Sequence, residues 1–145
     1  LALSADFRVA DYNARFAANF VKLGLHQGFG ISVTLPRIVG TVAASAMLLT
    51  GQRLNAEAAQ RIGLVDRLVD GDVREAAITL AEEIAENAPL AVRSVRKTLR
   101  EGLVAEIAAA TEHELSEQQW LRATADAREG IRAVAAREPG RFIGE

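Results

Sequence analysis

Strand-forming stretches are few and short in this chain, and that limits what it can fold into more than any other feature. Phe7-Arg8-Val9-Ala10 alternates apolar and polar residues and predicts a short strand. Arg15-Phe16-Ala17-Ala18 predicts a second, and the run from Leu64-Val65 to Val69 a third. Between the first two, Asp11-Tyr12-Asn13 has the composition of a turn. Two or three strands of this length do not make a stable sheet alone. They need partners, from another part of a longer protein or from another chain. Leu1-Ala-Leu-Ser-Ala-Asp6 reads as the end of an element already under way, so the chain is expected to be part of a longer polypeptide.

The remainder predicts five to seven helices. Gly24-Leu-His26-Gln-Gly28-Phe29-Gly30 is a loop rich in glycine, and the helix after it should end near Pro36 or Gly40. Val42 to Leu49 predicts a helix stopped by Gly51. Asn55 can cap the next, which ends at Gly63. Asp72 and Glu75 form a capping-box pattern ahead of Val73, Ala77, Leu80 and Ile84, one face of a helix. Pro89 suits a helix start, with Val92, Val95 and Leu99 as the buried stripe. A long helix should run from Leu103 to about Leu121, and a last one should start near Asp126, with Glu129 completing a second capping-box pattern.

Bulk properties remove several classes of function. The 145 residues are half hydrophobic and one quarter charged, with a net charge of -2, so no bulk field points to a nucleic acid or an acidic membrane. With no cysteine, disulfides, thiolate catalysis and Cys-ligated metals are excluded. No uninterrupted apolar run is long enough for a bilayer, and no metal-ligand spacing joins the two histidines to carboxylates. No G-x-G-x-x-G opens a helix after a strand. A cytoplasmic protein without nucleic-acid or membrane partners is expected.

An ordered set of segments resembles the crotonase (enoyl-CoA hydratase/isomerase) family. It comprises Leu1 to Ala10, Ala14-Arg-Phe16, Val21-Lys-Leu-Gly24-Leu, Leu35-Pro-Arg-Ile-Val-Gly40, Leu49-Thr-Gly51-Gln-Arg-Leu-Asn-Ala56-Glu-Ala58 and Ile62-Gly-Leu-Val-Asp-Arg67. Asp126-Ala-Arg-Glu-Gly130 and Arg141-Phe142-Ile-Gly144 complete it. The resemblance implies an α/β crotonase spiral (ClpP-like), of which this chain holds the C-terminal portion, mostly helical with a few short strands. Residues 1–70 would be the last part of the spiral core and 71–145 a helical region that assembles trimers or hexamers. It also implies a missing N-terminal half that carries early strands, much of the coenzyme A surface and both oxyanion-hole amides. The fragment alone is then expected to be inactive. The implied substrate is an acyl-CoA thioester, with coenzyme A part of the substrate and no separate cofactor. The implied chemistry is isomerisation or hydration through an enolate stabilised by two backbone N–H groups.

Hydratases of this family typically use two glutamates. The first would fall just before Leu1; the second matches Phe20, or Asn19 after a shift of one residue, and neither side chain can serve as that acid. Three readings follow: an isomerase with one base ahead of Leu1, a base elsewhere in the missing half, or a module that binds acyl-CoA or mediates assembly without chemistry. Isomerisation ranks slightly ahead of hydration. Phe20 reads as a core aromatic or as lining of the acyl pocket. His26 reads as a structural or solvated loop residue or as a proton carrier. Gly28 matches a glycine whose N–H faces the reacting carbons; alternatively, Gly28 and Gly30 permit a tight turn. With Phe29 between them, these residues form the substrate-binding set together with Arg137. Arg137 matches a basic residue that helps to hold the coenzyme A adenine and phosphate, although Val134 replaces the aromatic often found three residues earlier. Arg93, Arg96, Lys97 and Arg100 read as a solvated basic face or as a phosphate site. Phe142 reads as packing, His113 as a surface residue and Trp120 as core or subunit interface.

Overall fold

The computed structural model describes residues 2–145, so the expectation for Leu1 lies outside the described residues. Four strands and six α-helices follow in the order β1 (Val9–Asp11), β2 (Arg15–Ala17), α1 (Ile31–Thr50), β3 (Arg53–Asn55), α2 (Ala56–Arg61), β4 (Arg67–Val69), α3 (Val73–Ala85), α4 (Pro89–Leu99), α5 (Leu103–Leu121) and α6 (Ala125–Ala136). Short 3-10 turns occupy Ala2–Ser4 and Phe20–Leu23.

The strands pair in twos. β1 runs parallel to β4, with Ala10 opposite Leu68, and β2 runs antiparallel to β3, with Phe16 opposite Leu54. The Asp11–Asn13 turn forms as expected, with Ala14 N–H on the Asp11 carbonyl at 3.2 Å and Asn13 N–H on the Asp11 carboxylate at 2.8 Å. Strand β3 was not expected. Arg53-Leu54-Asn55 has a single apolar residue, too short a pattern to mark a strand, and its extended form comes from pairing with β2. Leu64 and Val65, expected inside a strand, instead fold against the end of α2, both donating to the Ala59 carbonyl, and the strand begins two residues later.

The core gathers Ala10, Leu35, Ala44, Met47, Ala59, Leu64 and Val65 between α1, α2 and the strand pairs. Helix α1 runs directly from the expected first helix into the second. It breaks at Gly40, where φ is 77° and ψ 160°, and ends at Gly51, whose left-handed backbone donates to Met47. By length and composition alone, with 20 residues and a hydropathy of 1.5, α1 matches a membrane-crossing helix. Arg37, the break at Gly40 and the burial of Leu35, Ala44 and Met47 make it the central helix of this core.

The caps of α2 and α3 follow local sequence. Asn55 accepts from Ala58 N–H, and Asp72 accepts from Arg74 and Glu75 N–H. At α6 the cap is Thr124, whose hydroxyl accepts from Ala127 N–H, not the expected Asp126. Asp126 is drawn instead to the C-terminal tail, accepting from Ile143 and Gly144 N–H. The expected buried stripe of α4 is also corrected. Val95 is 58% and Leu99 67% exposed, and no residue of α4 is buried. This helix is fastened by its basic face. Arg96 and Arg100 grip Asp6 at 2.8 and 2.9 Å, and Arg37 donates to the Leu99 carbonyl, which turns the apolar stripe outward.

Candidate active site

The glycine loop is positioned from both ends. The 3-10 turn beginning at half-buried Phe20 closes at Gly24, which has φ 65° and donates to Val21. Leu25 N–H returns to the Phe20 carbonyl at 3.1 Å. This turn packs on α6 so closely that a Cβ on Gly130 would lie 2.4 Å from the Leu23 carbonyl carbon, and one on Gly24 would lie 2.7 Å from the Asp126 backbone. Glycine at both positions is therefore a condition of the loop's placement.

Within the loop, His26 Nδ1 lies 2.9 Å from the Gln27 carbonyl. A carbonyl only accepts, so Nδ1 carries the proton and, in the neutral ring, Nε2 keeps its lone pair. The ring stands edge-on to His113 of α5, with centroids 5.9 Å apart. His113 is exposed, as expected, but also serves as this ring's neighbour. Gly28 has no left-handed φ; a Cβ there would lie 2.8 Å from Gln118 Nε2 and would push that side chain away from the loop. Phe29 adopts φ 64°, rare for a residue with a side chain, and is 86% exposed. Gly30, with φ 67°, starts α1.

Glu114 is the one charged side chain fully buried among the described residues, at 1% exposure. Its carboxylate accepts from Gly30 N–H at 2.7 Å and Ser32 N–H at 2.9 Å, taking up free donors at the start of α1. Gln118, one turn later, donates to the His26 carbonyl at 3.0 Å. Neither residue stands out in the sequence. Glu114 is one of several acids in Glu112-His113-Glu114-Leu-Ser-Glu117, and nothing local marks it as the buried one.

The structure therefore brings Phe20, His26, Gly28 and Phe29 into one turn and loop and leaves Arg137 apart. Arg137 is an exposed left-handed C-cap of α6, about two turns beyond the Gly130 contact. Of the basic cluster, Arg96 and Arg100 are bound to Asp6. Burial pushes the Asp6 carboxyl up, but the Arg96 hydrogen bond and the charges of both arginines outweigh it and hold the group below its ordinary value. Phe142 packs its ring on Gly140 in the tail, and Trp120 is more than half exposed, donating to Glu117. Among the described residues, no three of His, Asp or Glu gather to hold a metal ion.

Comparison with known proteins agrees along the whole length. The sequence profile of enoyl-CoA hydratase/isomerase matches residues 1–144. The 2,3-dehydroadipyl-CoA hydratase of Escherichia coli K12 is 36% identical over 145 residues, covering 99% of this chain and 57% of that protein. A short-chain-enoyl-CoA hydratase of Clostridioides difficile is 36% identical over 132 residues, covering 90% and 85%. The crystal structure of carnitinyl-CoA hydratase from Mycobacterium avium superposes with a TM-score of 0.89 at 32% identity, covering 100% of this chain and 57% of that one. The fold is thus the crotonase fold, in its mostly helical portion. The chain belongs to the enoyl-CoA hydratase/isomerase family. It spans a little more than half the length of several curated relatives that it matches.

Proposed function

We propose that the chain supplies the C-terminal part of an enzyme that acts on an enoyl-CoA thioester and shifts its double bond through a stabilised enolate, using one base. The observation that carries this reading is that neither Phe20 nor Glu114 offers a free acid at the loop. The position matching the second hydratase glutamate holds a phenylalanine, and the carboxylate that reaches the loop is taken up by two backbone amides. Neither can move a proton on the substrate as placed. The base and the oxyanion-hole amides come from an N-terminal half, so these 145 residues alone are inactive. Coenzyme A enters as part of the substrate, with no separate cofactor. Phe20, Gly28 and Phe29 face the acyl group, His26 supports the loop, and Arg137 reaches the coenzyme A end.

The exposed apolar residues Leu90, Val95, Leu99, Val104, Leu115 and Trp120 on α4 and α5 support assembly into a trimer or hexamer. A cytoplasmic setting accords with this reading.

The test is turnover by the complete enzyme. With a 3-enoyl-CoA and crotonyl-CoA compared at equal concentration, formation of the 2-enoyl isomer should outrun hydration; hydration faster by about tenfold would sink isomerisation as the main activity. The names of the Escherichia coli and Clostridioides difficile relatives favour hydration as the second reading. Acyl-CoA binding without turnover of either substrate would point instead to a non-catalytic binding or assembly role.

A further inference from the structure

Helix α5 meets the glycine loop along one face, through Glu114 and Gln118, four residues apart, with its C-cap Arg122 four residues further on behind Gln118. Glu114 binds the amides of Gly30 and Ser32, and Gln118 binds the carbonyl of His26. Arg122 donates to Gln118 Oε1 at 3.0 Å, which fixes the Gln118 amide so that its Nε2 faces the loop. Gly28 rests against that same Nε2. The backbone from 26 to 32 is therefore held at one carbonyl and two N–H groups, all from one rigid helix. Between these fixed points stands Phe29, in the left-handed region and with its ring turned to the outside. An exposed aromatic gains nothing from that conformation by packing in this chain, so the surrounding bonds impose it.

We propose that Glu114 and Gln118 are positioning residues for catalysis. They hold the Gly28-Phe29-Gly30 backbone in the orientation that presents the Gly28 N–H and the Phe29 ring to the acyl thioester. This rests on the enoyl-CoA reading above. Neither side chain touches substrate. Their effect is transmitted through the backbone they hold, and reacting groups tolerate little misplacement. Loosening the loop should lower turnover more than it weakens binding, since on the enoyl-CoA reading the loop meets the acyl group and not the coenzyme A end.

The test uses the complete enzyme and variants Glu114→Gln and Gln118→Ala, assayed with crotonyl-CoA and a 3-enoyl-CoA. In Glu114→Gln, one amide oxygen replaces two carboxylate oxygens, and its NH2 opposes an N–H. We expect kcat to fall about tenfold or more while KM stays within about threefold, with native circular dichroism and unchanged oligomer size. Gln118→Ala should show the same pattern at about threefold, and it carries the test if Glu114→Gln fails to fold. A kcat within twofold of the parent in the folded variants, or a rise in KM alone, would overturn the proposal and leave the enzymatic reading standing. Failure of the parent enzyme to turn over either enoyl-CoA would overturn the enzymatic reading and this inference with it.

Discussion

Arg8 and Asp66 lock β1 to the segment entering β4 through a two-way contact. The Asp66 carboxylate accepts from the Arg8 backbone N–H at 2.7 Å and pairs with its guanidinium at 3.0 Å, while Asp66 N–H returns to the Arg8 carbonyl at 2.9 Å. The same guanidinium also ties down the Leu64 and Ala5 carbonyls. With its side chain only 11% exposed, Arg8 works in a partly dry setting where paired charges and their hydrogen bonds matter most. Arg8→Ala should therefore destabilise the fold by about 2–3 kcal/mol in urea unfolding. A loss below about 0.5 kcal/mol would reduce this clasp to the ordinary weight of a surface ion pair.

Gly130→Ala tests the seat of the loop. The added methyl would meet Leu23 backbone, which has no rotamer to escape into. We expect a destabilisation of about 1–3 kcal/mol, seen as a lower thermal midpoint. The same variant should weaken acyl-CoA binding in the complete enzyme, because α6 then no longer supports the turn from Phe20 to Gly24. An unchanged midpoint would show that α6 can slide.

The tail carries a pH signature. Hydrogen bonds from Arg132, then the Arg141 backbone N–H, hold Glu129 down at about 2 against an ordinary 4.5. Because the folded value is depressed, its contribution is complete above about pH 4.5 and disappears as pH falls through about 2. The Glu129 contact with the Arg141 N–H should persist at pH 4 and fail near pH 2, followed by the amide resonance of Arg141. Its partner Arg132 is 52% exposed and the Glu129 side chain 21%, so the effect should shrink in high salt, and Glu129→Gln should remove this step from the Arg141 resonance.

Phe20→Glu probes the chemistry most directly. It restores an acid at the position where the family resemblance places the second hydratase glutamate. In the complete enzyme, the ratio of hydration to isomerisation should rise by at least about tenfold, a conservative share of what a positioned acid contributes. No change in the ratio would mean that the Phe20 side chain does not face the reacting carbons.

The sequence alone determined the features that depend on neighbouring residues. Asn55 and Asp72 cap their helices because a short side chain can reach amides two or three residues ahead. Gly51 stops α1 because only its backbone takes that left-handed turn cheaply. Leu103 to Leu121 forms one helix from its run of good helix formers. The ordered family segments could be read the same way, each from a few adjacent residues. Only the tertiary structure decided what distant groups compete for. Asp126 looked like a cap until the tail's amides claimed its carboxylate, leaving that role to Thr124. Strand β3 exists because β2 pairs with it. The stripe on α4 faces outward because Asp6 holds the helix by its arginines. Glu114 becomes the loop's anchor across 84 residues. Such contacts depend on which donors folding brings to a given carboxylate, and local sequence does not encode that choice.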